Sequence, residues 1–260
     1  MNVTHVGGPT VLLEMGGWRI LTDPTFDPPG RRYNFGWGSS SRKTVGPALD
    51  AKDIGPIDLI LLSHDHHADN LDDLGRSLLP LAGKVVTTVA GAGRLGLPNV
   101  VGMQAWESRV FRAEGKSDLK MTATPCRHGP PLSRPIVGQV IGFVLEPEDQ
   151  QTIWMTGDTV LTKALGQVSA QFDVDVVLLH LGGVRFPITG PLRYSMTGRD
   201  ALRLIEQVHP GLVLPVHYEG WAHFAEQRTA LDRVFETAPA SVRERVKWLP
   251  LGEAVSLPRS

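Results

Sequence analysis

Residues His64-Asp65-His66-His67-Ala68-Asp69 put three imidazoles and two carboxylates into six consecutive positions. They follow an apolar run, Ile57 to Ser63, that reads as a buried strand. In extended backbone His64 and His66 leave the same face, and two neutral imidazoles on one face are half of a divalent-metal site. A His-x-His pair also occurs by chance in exposed loops, although this stretch favours metal. Four further groups share its placement. Asp23 follows the apolar run Trp18–Thr22, His128 follows Leu119–Thr124, Asp158 follows Thr152–Thr156, and His217 follows Leu212–Val216. If these strands share a sheet edge, their ends converge. His64, His66 and His128 could then hold one ion, and Asp158 could bridge it to a second ion held also by Asp69 and His217. Such mixed nitrogen and oxygen shells suit zinc, manganese or iron. Each distant residue also has a plainer reading: Asp158 as a turn residue or helix cap, His217 as a core histidine, His128 as a loop residue.

The elements that would position these groups are legible in outline. Thr10–Met15 and Trp18–Thr22 flank Gly16-Gly17 and predict a β-hairpin. The stretch from Thr25 to Pro47 is rich in Pro, Gly and Arg and carries Phe26, Tyr33, Phe35 and Trp37. It reads either as a functional loop or as a partly disordered surface segment. Leu71 to Leu79 has helical spacing, Lys84–Val89 reads as a strand, and Gly91 to Gly96 as a short helix or turn. Runs at 109–112, 119–124, 137–145 and 152–156 predict consecutive strands, and 160–168 a helix. Val174–Leu179 predicts a strand, and Thr197 with Asp200 resembles a capping box opening a helix over 201–208. Helical spacing recurs over 221–235, and a last strand or two fits 246–257. No repeat or linker divides the chain, so residues 1–260 read as a single domain. Strands dominate each half and helices follow the later strands, which predicts an α+β fold of two sheets packed face to face with helices outside.

Composition excludes several classes. A net charge of −1 over 260 residues provides no basic field for nucleic acid or an anionic membrane. No apolar run reaches the length of a membrane span. One cysteine, Cys126, precludes an intrachain disulfide, and the start of the chain lacks a signal-peptide pattern, so a cytoplasmic location is expected. Cys126 could face the site as a thiol or serve as an apolar filler.

The ordered set of Asp23, His64-x-His66, His128, Gly157-Asp158 and His217 resembles the metallo-β-lactamase superfamily of metal-dependent hydrolases. Within it the chain looks most like the branch holding the ascorbate-6-phosphate lactonase and the N-acyl-phosphatidylethanolamine phospholipase D. The markers are Leu21-Thr22-Asp23-Pro24, Thr156-Gly157-Asp158-Thr159, Tyr194-Ser-Met-Thr197 and Pro215-Val-His217-Tyr218, within a likeness that spans roughly residues 3 to 225. The resemblance implies an αββα sandwich and one or two divalent ions, zinc or manganese first and iron as an alternative. The family motif is His-x-His-x-Asp-His, and this chain departs from it after His66. Read without a gap, Ala68 stands where the Asp belongs; with one residue inserted, Asp69 keeps its role and Asn70 replaces the last histidine. His67 could substitute for the missing ligand or buttress another.

The expected chemistry is metal-assisted hydrolysis of an ester, lactone, amide or phosphodiester. Asp69 and Asp158 are the catalytic candidates, Asp23 supports a ligand, and His180, Tyr218 and His223 either face substrate or merely pack. Arg127, Arg185, Arg193 and the arginines of the 31–43 loop hint at a small anionic substrate. A homo-oligomer is compatible with the chain. Two rivals stand beside this reading. An amidohydrolase-type barrel would need regular strand–helix alternation, and a non-catalytic metal-binding protein of the same fold would need only the departure at Ala68 and Asn70. A redox di-iron protein is a third, without a flavin module to supply electrons.

Overall fold

Side-chain alternation divides the strands between two faces. In β2 (Thr10–Met15), Val11, Leu13 and Met15 enter the central core while Leu12 points to the opposite layer. β11 (Ile141–Pro147) does the same, with Phe143 and Leu145 central and Val144 turned outward. These assignments come from a computed structural model that describes residues 1–36, 38–148 and 150–257, the side chain of Ile136 excepted. Trp37, one of the aromatics of the arginine-rich loop, lies outside the described residues.

Two mixed sheets result. The first runs β15 (Ala254–Ser256), β1 (Asn2–Gly7), β2, β3 (Trp18–Thr22), β6 (Leu59–Leu61), β7 (Lys84–Thr88), β8 (Val100–Met103). The second runs β14 (Leu212–Val216), β13 (Val176–His180), β12 (Ile153–Met155), β11, β10 (Leu119–Pro125), β9 (Ser108–Phe111). One apolar cluster, with Val11, Leu13 and Ile20 from the first sheet and Met121, Phe143, Met155 and Leu178 from the second, fills the space between them. The antiparallel run β9–β12 excludes the strand–helix alternation of a barrel.

Helices cover the outer faces. On the second sheet α4 (Lys163–Gly166), α5 (Gly198–Val208), α6 (Arg228–Glu236) and α7 (Ala240–Arg243) bury Leu165, Leu204, Leu231 and Val242 against Trp154, Val177 and Val213. α5 starts at the expected capping box: the Thr197 side chain accepts from the Asp200 backbone N–H, and Asp200 accepts from Thr197 N–H. On the first sheet α1 (Asp73–Leu78) and α2 (Val89–Leu95) lie over the cluster of Leu12, Leu21, Ile60 and Val85. The αββα arrangement expected from the sequence is the one observed. No helix among the described residues is long and apolar enough to cross a membrane.

Three expectations need correction. The run 221–235 is helical only from Arg228, because Trp221 packs among Tyr33 and Phe35 and Lys43 bridges to it, and that tertiary pairing overrides the helical spacing. The run 137–145 begins as α3 (Arg134–Val137) and turns at Gly138 (φ 71°), so the strand starts only at Ile141. Residues 160–168 form a helix only over 163–166.

The described residues of the 25–47 segment have a defined structure. It folds into a two-stranded hairpin of β4 (Arg32–Gly36) and β5 (Ser39–Arg42) that roofs the strand ends. Its anchor is a buried ion pair. Lys43 Nζ donates to Asp72 Oδ2 at 2.8 Å, and Asp72 also caps α1 and accepts from the backbone N–H groups of Phe26 and Asp27. Removing one partner of such a pair strands the other charge, at a cost of roughly 3–5 kcal/mol. Lys43→Ala is therefore expected to lower the unfolding free energy by about 3 kcal/mol or more, measured from the urea midpoint at unchanged slope.

Candidate metal centre

Parallel pairing aims several strand ends at one rim. β3 pairs parallel with β6, and β12, β13 and β14 are mutually parallel. Asp23, His64, Asp158, His180 and His217 all lie at or just past the C-terminal ends of these strands, where open sheets place their ligands. Asp23 (φ 28°) and His217 (φ 55°) both hold a backbone conformation that L-residues rarely adopt, a strain that the surrounding structure must support. Gly157 is needed before Asp158: its φ is 63°, and a Cβ there would lie 2.7 Å from the Ile141 carbonyl oxygen.

The nitrogen half of the site consists of His64, His67 and His128. His67 Nδ1 lies 3.1 Å from His64 Nε2 and 3.1 Å from His128 Nε2. Outer partners set the tautomers. His64 Nδ1–H donates to Ser63 Oγ at 2.9 Å, and Ser63 Oγ–H donates to Asp23 Oδ2 at 2.8 Å. His128 Nδ1–H donates to the Tyr194 carbonyl at 2.6 Å. Both Nε2 atoms therefore present lone pairs toward the same place, and one N–H on His67 cannot align with both. Burial, reinforced by the neighbouring imidazoles, holds His64 and His67 well below the usual histidine range; burial takes His128 down to about 4. All three rings are neutral at pH 7.

His66 keeps one nitrogen, Nδ1, buried without a hydrogen-bond partner, while its other nitrogen is engaged. Its Nε2 bonds the Val137 carbonyl, and its ring lies against Gly138. Its nitrogen still falls within 4.8 Å of ligand atoms on His64 and His67. The expectation of a His64/His66 face assumes extended backbone, but β6 ends at Leu61 and the chain bends before His64. The period of two is lost there, and a three-residue step brings His67 beside His64. Asp65 turns away to a two-bond ion pair with Arg94, which holds its carboxyl well below the usual range against the opposing effect of burial.

The oxygen half holds Asp69, Asp158 and His217, whose ligand atoms lie within 4.8 Å of one another. His217 Nε2 is 3.5 Å from Asp69 Oδ2, and His217 Nδ1 is 3.4 Å from Asp158 Oδ1. Burial alone would lower the His217 pKa, but Asp158 and Asp69 outweigh it and push it up to about 9. Burial, with Asp69 and Asp23 nearby, raises the Asp158 carboxyl to about 7. Asp69 Oδ2 accepts from His223 Nε2 at 3.0 Å, while Ser41 Oγ bonds His223 Nδ1 at 2.6 Å. Asn70 Nδ2 donates to Asp23 Oδ2 at 3.1 Å. His180 lies inside this layer, its Nε2 3.4 Å from Asp23 Oδ2. Tyr218 is not part of it: its ring packs on His5 and Trp248 behind the second sheet.

These residues fit a divalent cation. Among the described residues, Asp69 Oδ1, both oxygens of Asp158, and the Nε2 atoms of His180 and His217 are buried with no hydrogen-bond partner. Asp23, Asp69 and Asp158 bring three buried carboxylates together against one histidine with a raised pKa. Buried charge left in that state is costly unless cations compensate it. His64, His128 and Asp158 form one candidate ligand group, and Asp69, Asp158 and His217 another.

Comparisons with known proteins give the family. The Beta-lactamase superfamily domain matches residues 18–218. The chain belongs to the metallo-β-lactamase superfamily. It is a metal-dependent hydrolase of that fold, in line with relatives that carry this description. A UPF0173 metal-dependent hydrolase of Cupriavidus taiwanensis is 29% identical over 219 residues, covering 78% of this chain and 69% of that protein. Another, from Caldivirga maquilingensis, is 25% identical over 254 residues, covering 95% and 93%. Among solved structures, an isothiocyanate hydrolase from Delia radicum gut bacteria has a TM-score of 0.83 at 20% identity over 99% of both chains, a likeness of fold.

The mouth of this superfamily site is a cavity of about 40 Å³ lined by Phe35, His67, Asp69, His128, Val137 and Phe186, among others. Sequence reasoning misses Ser63, Ser41 and Phe186, since a serine beside a histidine, or an aromatic in a loop, carries no spacing signal. Cys126 contributes an S–H to the Thr156 carbonyl at 3.1 Å and lines an adjoining groove of about 880 Å³ that shares His128 and Val137 with the mouth and also holds Arg127 and Arg134. The geometry separates the two neighbouring histidines. His67→Ala is expected to lower bound divalent metal at least about tenfold, while His66→Ala keeps most of it, by mass spectrometry of the purified variants. Equal losses would return His66 to the ligand set.

Proposed function

We propose that His64, His67 and His128 hold one divalent ion, zinc or manganese first, and that Asp158 bridges to a second held by Asp69 and His217. The carrying observation is the convergence of neutral imidazole lone pairs with the partnerless Oδ1 of Asp69 and carboxylate oxygens of Asp158 beneath one narrow mouth. With one residue inserted after His64, the family motif then runs through His67 and Asp69 to Asn70. Asn70 cannot supply the usual imidazole and instead hydrogen-bonds Asp23.

The reaction is hydrolysis of an ester, lactone, amide or phosphodiester in a small molecule. A bound ion would supply Lewis acidity, polarising the carbonyl or phosphoryl group under attack and favouring ionisation of water near neutral pH. The chain's residues do the rest. Asp69, fixed through Oδ2 by His223 and open at Oδ1, orients the attacking water and takes its proton. Asp158 stays ionised as a ligand when the ion is present, since a nearby cation reverses the upward push of burial. Phe35, Phe186 and Val137 exclude bulk water from the mouth.

The marker segments favour a substrate like those of the lactonase and phospholipase D branch, with an anionic group. A second reading, a small uncharged electrophile such as an isothiocyanate, is favoured by the apolar, narrow mouth. The whole chain acts as a single hydrolase domain, and its one cysteine fits a cytoplasmic setting. Asp158→Ala is expected to reduce turnover more than about 10³-fold on a panel of ester, lactone and phosphodiester substrates while the circular-dichroism spectrum is kept. A variant with retained turnover would remove Asp158 from the site. Chelation is expected to abolish turnover and lower Tm, with both recovered on adding zinc or manganese.

A further inference from the structure

A cavity of about 540 Å³ shares Phe186 with the mouth and is walled by His223. Arg32, Arg42 and Arg185 line it. All three are exposed, and among the described residues none has a carboxylate within ion-pair distance. Arg31, next to Arg32 in the chain, instead pairs with Asp73 and Asp27. Arg32 and Arg42 are also direct register partners across the β4–β5 hairpin. Like charges directly opposite each other destabilise a strand pair, and a two-stranded hairpin is only marginally stable to begin with. Among the described residues the side chain of each makes one hydrogen bond, from Arg32 Nη1 to Ser40 Oγ and from Arg42 Nε to the Gly30 carbonyl, both at 3.0 Å. The rest of each guanidinium fork is open to a ligand.

We propose that this cleft binds a phosphoryl or carboxylate oxyanion between Arg32, Arg42 and Arg185. Guanidinium matches the planar, two-point geometry of such groups, and an anion would relieve the cross-strand repulsion. The cleft connects to the reaction centre through one ring: His223 meets Ser41 Oγ on the cleft side and Asp69 Oδ2 on the other. Arg185 sits on the same connection, its backbone N–H donating to the His223 carbonyl at 3.3 Å. An anion there is the part of the substrate remote from the bond that breaks. That last assignment rests on the proposed hydrolysis; binding of the anion does not.

The test is calorimetric titration with inorganic phosphate of the metal-loaded and the chelated protein. Wild type is expected to bind one phosphate saturably in both forms. Arg185→Gln and the double variant Arg32→Gln/Arg42→Gln are each expected to bind about tenfold more weakly or worse. Arg32→Lys/Arg42→Lys keeps the charge without the fork and is expected to bind more weakly than wild type but more tightly than Arg32→Gln/Arg42→Gln, which controls for loss of the hairpin. Absence of saturable binding, binding unchanged in the glutamine variants, or binding that vanishes on chelation would each overturn the proposal. A second arm identifies the source of the anion. With two hydrolysed substrates that differ only by a phosphate group, the variants are expected to shift the ratio of the two KM values about tenfold if the anion belongs to the substrate. If the ratio holds and phosphate alone alters turnover of the neutral substrate, the cleft takes a free oxyanion. Failure of all hydrolysis would remove the proposed reaction and leave the titration to decide about the cleft.

Discussion

The site depends on the buried carboxylate of Asp23. It sits at the end of β3 with no solvent exposure and a strained backbone. Oδ1 accepts from the Ser63 N–H at 2.6 Å, and Oδ2 accepts from Ser63 Oγ and Asn70 Nδ2. His180 Nε2, from the end of β13 in the other sheet, lies 3.4 Å away. One residue thus ties β3, the bend after β6 and the facing sheet together. Through Ser63 it also fixes the tautomer of His64. The strained φ persists because several hydrogen bonds over-determine it.

Around this anchor the site separates into two chemistries. Burial keeps the imidazoles of His64, His67 and His128 neutral, because a charged ring would be desolvated among other rings. Three carboxylates are buried a few ångströms on, with His217 between two of them. Without a cation, protons must offset that charge, which is why the Asp158 carboxyl is raised to about 7 and the His217 ring to about 9; a divalent ion can take their place. The roof works to the same end. Tyr33 and Phe35 of the hairpin pack with Phe186, Trp221 and Ala68, and Ala68 lies in the turn that aims Asp69 at His217 and His223. The buried Lys43–Asp72 pair holds that roof down.

Much of this is legible in the order of residues alone. Alternation of apolar residues locates most strands, Gly16-Gly17 the first hairpin, and Thr197 with Asp200 the start of α5. The recurrence of His and Asp just past strand ends identifies the rim, because parallel strands in one sheet carry their ends to one edge. Packing settles what periodicity cannot carry. The step from His64 to His67 depends on where β6 stops, and no local pattern sets that. Tyr218 follows His217 in the chain but packs behind the sheet, where its ring meets Trp248. The helical spacing of 221–227 gives way to pairing with Lys43. Residue type and local period thus establish the kinds of ligand, their order along the chain and the two-sheet fold. Which imidazoles meet, which arginines share a cleft and which carboxylates lack partners emerge only in the folded chain, since those are contacts between residues distant in sequence and no local pattern encodes them.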